Sequence, residues 1–195
     1  LPDLQARIQV ALFNILEEGD VQIRGFKLRL PLDILFVFTA NPEDYTNRGS
    51  IVTPLKDRIE SQILTHYPKS LEQALEITEQ EAVIDKDQQS RVEISDLVKR
   101  LIEQVAFEAR NSELVDKKSG VSARLTISAF ENAISAAERR AIINQEKRTQ
   151  VWISDLAGII PSITGKVELV YEGEQEGPFQ VAMNLVDKAI RTQFI

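Results

Sequence analysis

The 195-residue sequence contains no cysteine, one histidine, one methionine and one tryptophan. Without thiols there is no disulfide framework and no thiolate metal site, a composition that suits a reducing cytosol. With His66 standing alone, no second histidine or cysteine completes a metal site, and no nucleophile–base pair of the hydrolase type forms around it; His66 is given a structural role. Long apolar runs are missing as well: no stretch approaches the roughly 18 uninterrupted apolar residues of a membrane-spanning helix. The opening Leu1-Pro2-Asp3-Leu4 is neither a basic signal peptide nor a natural initiation site, and it reads as a cut within a longer protein. Positive charge is in deficit, with 23 Lys and Arg against 30 Asp and Glu and a net charge of -7. Such a surface repels the nucleic-acid backbone on average, and the linear sequence holds no basic patch to reverse that.

What remains is ordinary for a folded protein: 43% hydrophobic and 27% charged residues, in a chain long enough for one or two cores. Leu4, Ile8, Ala11, Leu12, Ile15 and Leu16 recur at helical spacing, and Gly19 follows where a helix needs a left-handed terminator. Val21 to Leu30 alternates polar and apolar residues about Gly25, a hairpin pattern. Ile34 to Phe38 is an unbroken apolar run, predicted to be a strand buried on both faces in a parallel sheet. A short helix is expected after Pro54, and Ile63 to Tyr67 is predicted to be a further strand ending at Pro68.

From Ser70 the pattern turns helical. Ser70 and Gln73 form a capping-box pair; Leu97, Val98, Leu101, Ile102 and Val105 mark one helix, and Phe130, Ala133, Ile134 and Ala137 another. Trp152 and the Leu156, Ile159 and Ile160 group are expected in the core. The tail is predicted as a strand over Val167 to Tyr171, an acidic loop over Glu172 to Gly177 and a last helix from Pro178. The fold class is therefore α/β plus all-α, with the boundary at Pro68: residues 1–68, then 69–195.

Asn41 is the first candidate for chemistry, because a short polar side chain at the exit of a buried parallel strand faces the crevice where open α/β sheets bind ligands. The bland alternative is an asparagine capping a turn before Pro42. The segment Phe38-Thr39-Ala40-Asn41-Pro42-Glu43-Asp44-Tyr45-Thr46-Asn47-Arg48-Gly49, followed by Pro54-Leu55-Lys56-Asp57-Arg58, closely resembles AAA+ ATPases of the magnesium-chelatase-like branch. The resemblance extends over nearly the whole chain, and is most specific from Asn41 to Arg58.

The resemblance implies the carboxyl-terminal part of a P-loop AAA+ core, a parallel sheet without its phosphate-loop half, followed by a helical lid bundle. It implies that Asn41 is the sensor positioning the attacking water, and that Arg58 is an arginine finger offered to the nucleotide of a neighbouring subunit, with Arg48 a weaker competitor. Arg124, in Gly120-Val121-Ser122-Ala123-Arg124-Leu125-Thr126, resembles the second sensor, which reads phosphates of its own subunit. For Arg58 the plain alternative is a surface arginine paired with Asp57 or Glu60, and for Arg124 a solvated one. ATP and Mg²⁺ are the expected ligands of the longer protein, copies of itself in a hexameric ring and a remodelled protein are its expected partners, and the cytoplasm its location. The phosphate-binding loop and the acidic pair that holds Mg²⁺ are not among these residues; Gly165-Lys166 fails as a substitute, since Val167 stands where Ser or Thr is needed. A poor ATPase is therefore expected of this stretch alone. A transcription-activating AAA+ protein and a non-catalytic scaffold of the same shape are the alternatives.

Overall fold

The computed structural model describes residues 4–29, 35–40 and 51–194. The chain divides into two compact units, Leu1–Thr65 and His66–Ile195.

In the first unit, helix α1 (Ala6–Glu18) ends at Gly19, whose φ of 62° is left-handed and whose N–H bonds to the Ile15 carbonyl. Strands β1 (Asp20–Ile23) and β2 (Phe26–Arg29) pair antiparallel, Ile23 opposite Phe26. The two-residue turn between them has positive φ at both Arg24 and Gly25, 49° and 86°, which matches the right-handed strand twist. Helix α2 (Thr53–Lys56) carries Pro54 in its first turn, where a missing N–H costs nothing. Leu55 is fully buried. Gln9 of α1 is buried too: its Oε1 accepts the Val52 N–H at 2.8 Å while its Nε2 donates to the Leu4 carbonyl at 2.9 Å.

The apolar run ending at Phe38 does not form the expected buried strand over its described part. Leu35 and Val37 are 89% and 81% exposed, and residues 35–40 have no ladder partner among the described residues. Phe36 and Phe38 are half-buried, with ring centroids 6.1 Å apart, so the chain keeps a period-two alternation without a sheet. A buried parallel strand needs a neighbouring strand for its backbone groups and cover on both faces, and an apolar sequence alone provides neither. The same correction applies to Ile63 to Tyr67, which lies in neither helix nor strand and has no ladder partner among the described residues, with Ile63 89% exposed.

The second unit is helical. Its elements are α3 (Leu71–Glu81), α4 (Lys86–Arg91), α5 (Asp96–Asn111), α6 (Arg124–Ile143), a 3-10 turn (Ile153–Ile159) running into α7 (Ile160–Thr164), α8 (Tyr171–Glu176) and α9 (Pro178–Phe194). A short parallel pair, β3 (Val92–Glu93) with β4 (Thr149–Gln150), ties the α4–α5 connection to the stretch after α6. Ser70 caps α3 by accepting the Gln73 N–H, while the Gln73 side chain accepts from Lys69, one residue before the usual capping-box partner. Helix α5 packs against α3, α6 and α9, and Leu101, Ile102, Leu125, Leu156, Ile159 and Ile163 form the heart of the core. Each fully buried aliphatic side chain of this kind stabilises by roughly 1.5–3 kcal/mol.

Three expectations fail in this unit. Val167 to Tyr171 makes a single antiparallel bridge, Leu169 to Val115, because only the short 112–116 stretch runs beside it. The acidic residues after Tyr171 form α8 instead of a loop; its Gly173 sits so close to the Leu114 carbonyl that an added Cβ would lie 2.6 Å away. Trp152 is 55% exposed, its ring flanked by the Arg140 guanidinium at 5.7 Å, and so contributes little to the core. No helix among the described residues is long and apolar enough to cross a membrane.

Candidate functional site

Arg58 follows α2 by two residues, and its guanidinium is engaged within its own unit. Nη2 donates to Glu17 Oε1 at 2.8 Å and Nη1 to Asp57 Oδ2 at 2.9 Å. The side chain is 39% exposed and its acidic partners 40% and 75%. Asp57 is one of the two partners that a plain surface role calls for; Glu17, at the end of α1, takes the place of Glu60. Both pairs lie at the solvent-exposed surface, where screening by water leaves ion pairs weak.

Arg124 opens the 20-residue helix α6. The preceding Ala123 supplies no side-chain cap, and Ser122 Oγ instead accepts the Arg124 N–H at 3.2 Å. Arg124 is exposed, and its guanidinium makes no hydrogen bond or ion pair among the described residues. A cation at the positive end of a helix is disfavoured by about 0.3–1 kcal/mol. No acidic residue in the first turn offsets that.

Behind Arg124 lies a buried polar chain that no sequence pattern pointed to. Thr126 Oγ1 lies 3.1 Å from the Ala123 carbonyl and 2.9 Å from Thr78 Oγ1, which in turn lies 2.6 Å from Glu103 Oε1. Thr78, Glu103 and Thr126 are each no more than 2% exposed. Burial pushes the Glu103 carboxyl up from the usual range, against the opposing pull of the two threonine hydroxyls and the Arg110 charge. Proton counting agrees with that direction. If Glu103 is ionised, Thr78 spends its proton on the carboxylate, and the one Thr126 proton faces two acceptors. If Glu103 is protonated, donation runs in one direction, from Glu103 through Thr78 and Thr126 to the Ala123 carbonyl, and every proton is used. The only sequence signal was a carboxylate at 103 among the apolar residues Leu101, Ile102, Val105 and Ala106.

At the far end of α6, roughly 24 Å along the axis from Arg124 at 1.5 Å per residue, Arg140 grips Asp155. Nε to Oδ1 measures 3.0 Å and Nη2 to Oδ2 2.9 Å, and the Trp152 N–H donates to the same carboxylate at 2.8 Å. Burial alone would raise Asp155, but the guanidinium and the amide outweigh it and hold the carboxyl below the usual range. An open cavity of about 310 Å³ beside this pair is lined by Arg139, Arg140, Ile143, Asn144, Ser154 and Asp155. It is remote from Arg124, and its arginine–aspartate pair is explained by the fold.

Asn41 and Arg48 lie outside the described residues. Arg58 and Arg124 fall in different units, so each stands in its own surroundings. His66 is exposed, its Nδ1 2.8 Å from the Tyr67 carbonyl. No group of three or more His, Cys, Asp and Glu side chains that could hold a metal ion occurs among the described residues. Comparison with family models, curated proteins and solved structures finds no match to this chain.

Proposed function

We propose that this chain is the nucleotide-reading and neighbour-facing part of a cytoplasmic AAA+ ATPase of the magnesium-chelatase-like branch, in which ATP hydrolysis remodels a partner protein. The observation that carries the reading is Arg124: an exposed guanidinium without a partner among the described residues, at the helix end where a cation is least welcome. Phosphate oxygens would satisfy both the guanidinium and the positive helix end. The buried chain from Glu103 to Ala123 fixes the helix start from which Arg124 projects.

In this reading Asn41 orients the attacking water and Arg124 contacts the phosphates of its own subunit. Arg58 leaves Glu17 and Asp57 to stabilise charge on the nucleotide of the next copy in a hexameric ring. A guanidinium suits that task because it stays charged and spreads its donors over several oxygens. Mg²⁺, when bound, neutralises phosphate charge; the acidic pair that holds it in such enzymes is not among these 195 residues. In the full-length protein, Asn41→Ala and Arg124→Ala are expected to lower kcat about a hundredfold with little change in nucleotide affinity. Unchanged turnover in both would leave Arg124 a solvated surface residue. A second reading, a non-catalytic scaffold, draws on the pairing of Arg58 with Glu17 and Asp57 inside its own unit.

A further inference from the structure

The helical unit begins at His66, and its second residue, Tyr67, is clamped at once to the loop that leads into Arg124. The Arg110 guanidinium lies 4.4 Å from the centroid of the Tyr67 ring and 5.5 Å from that of Phe107, one turn earlier on α5. Arg110 Nε and Nη2 both donate to the Val121 carbonyl at 3.3 Å. The Val121 N–H donates to Tyr67 Oη at 3.1 Å. Both backbone polar groups of one residue are thus held by two side chains that stack on each other, and Val121 is only 1% exposed. The neighbouring Gly120 has a φ of 69°, and a Cβ there would lie 2.3 Å from Tyr67 Oη, so the hydroxyl occupies the space that any side chain at 120 would need.

Val121 stands three residues before Arg124, with only Ser122 and Ala123 between. Resting on the reading of Arg124 as the arginine that contacts phosphate, we propose that Tyr67 and Arg110 are positioning residues that fix the start of α6, and through it Arg124, to the point where the chain enters the helical unit. Neither touches nucleotide. A shift in the direction from which the chain enters is carried through Tyr67 Oη to the Val121 amide and so to the first turn of α6. Arg110 acts as the other jaw: its planar fork fits one carbonyl twice, which the single ammonium of lysine cannot do. Glu103, one turn before Phe107 on α5, joins the same helix start by way of Thr78 and Thr126, so α5 fixes both sides of the Val121–Thr126 stretch.

The test is a cycle in the full-length protein, measuring kcat for ATP hydrolysis and nucleotide Kd for wild type, Tyr67→Phe, Arg124→Ala and the double variant. Tyr67→Phe keeps the ring against Arg110 and removes only the acceptor of the Val121 N–H. The proposal expects Tyr67→Phe to lower kcat about tenfold, less than the hundredfold that a 1 Å misplacement costs. It expects Kd to hold and the double variant to be no slower than Arg124→Ala alone, since the tyrosine acts only through the arginine. Amide exchange at Val121 should quicken while the α5 and α9 core keeps its protection, and Arg110→Lys should behave as Tyr67→Phe does. An unaltered kcat in Tyr67→Phe, or an equal slowing in the Arg124→Ala background, overturns the clamp and leaves the reading of Arg124 standing. Wild-type turnover in Arg124→Ala overturns that reading and the clamp's role with it.

Discussion

Thr78 Oγ1 lies 2.6 Å from Glu103 Oε1 in the interior of the helical unit, with Thr126 2.9 Å beyond it. A carboxyl in that position titrates above its usual range, so the folded protein holds the proton more tightly than the unfolded chain. The stability contributed by this group is full below the ordinary carboxylate range and is lost as pH rises through the raised value. Glu103→Gln keeps an acceptor and donor for Thr78 without the charge. The variant is expected to be more stable than wild type at neutral pH, because the amide is neutral without taking up a proton on folding. Its stability should also vary less with pH across the weakly acid range. Denaturant titrations from acid to neutral pH check both points.

The opposite sign holds for Asp155, whose carboxyl lies below its usual range through Arg140 and the Trp152 N–H. Its contribution is present above the ordinary carboxylate range and disappears as pH falls through the lowered value. Asp155→Asn is expected to cost about 2 kcal/mol at neutral pH, as for losing a hydrogen-bonded charge that is partly buried. Trp152 is the single tryptophan and lies against the Arg140 guanidinium, so its emission should change in the folded variant.

The 195-residue stretch by itself is expected to bind ATP weakly and to turn it over negligibly, because the phosphate loop and the Mg²⁺-holding acids of such enzymes are not in it. Calorimetry and a phosphate-release assay check this. Low-micromolar binding accompanied by turnover would contradict the architecture proposed for the site.

Local patterns carried much of the fold. Gly19 ends α1, the turn at Arg24 and Gly25 closes the hairpin, and the Ser70, Leu101 and Phe130 signals each fall on a real cap or a buried helix face. These are readable because the forces act within one or two turns of chain. Leu35 and Val37 were not readable, since whether an apolar run becomes a buried strand depends on distant partner strands. Trp152 misled for a related reason: its size suggested the core, while Arg140 from α6 holds its ring at the surface. The candidate site divides in the same way. Arg124 was flagged by its place in a motif, but the groups behind it join residues 54 positions apart, Tyr67 to Val121, and 48 apart, Thr78 to Thr126, and no spacing rule reaches that far.

In the proposed ring of ATPase subunits Arg58 serves the neighbouring copy, a role that mixing two inactive variants tests. Full-length Arg58→Ala subunits keep a sound phosphate loop; subunits with a phosphate-loop lysine substitution keep Arg58; each is expected to be inactive alone, since a finger supplied in trans is worth about 10³–10⁵ in kcat. Phosphate release is measured as the two are combined at varying ratios, with mixed assembly confirmed by mass. Activity is expected to reappear and to peak at intermediate ratios, where some interfaces pair an intact loop with an intact arginine. Confirmed mixed assemblies without recovered activity would contradict it and leave Arg58 as the surface partner of Glu17 and Asp57.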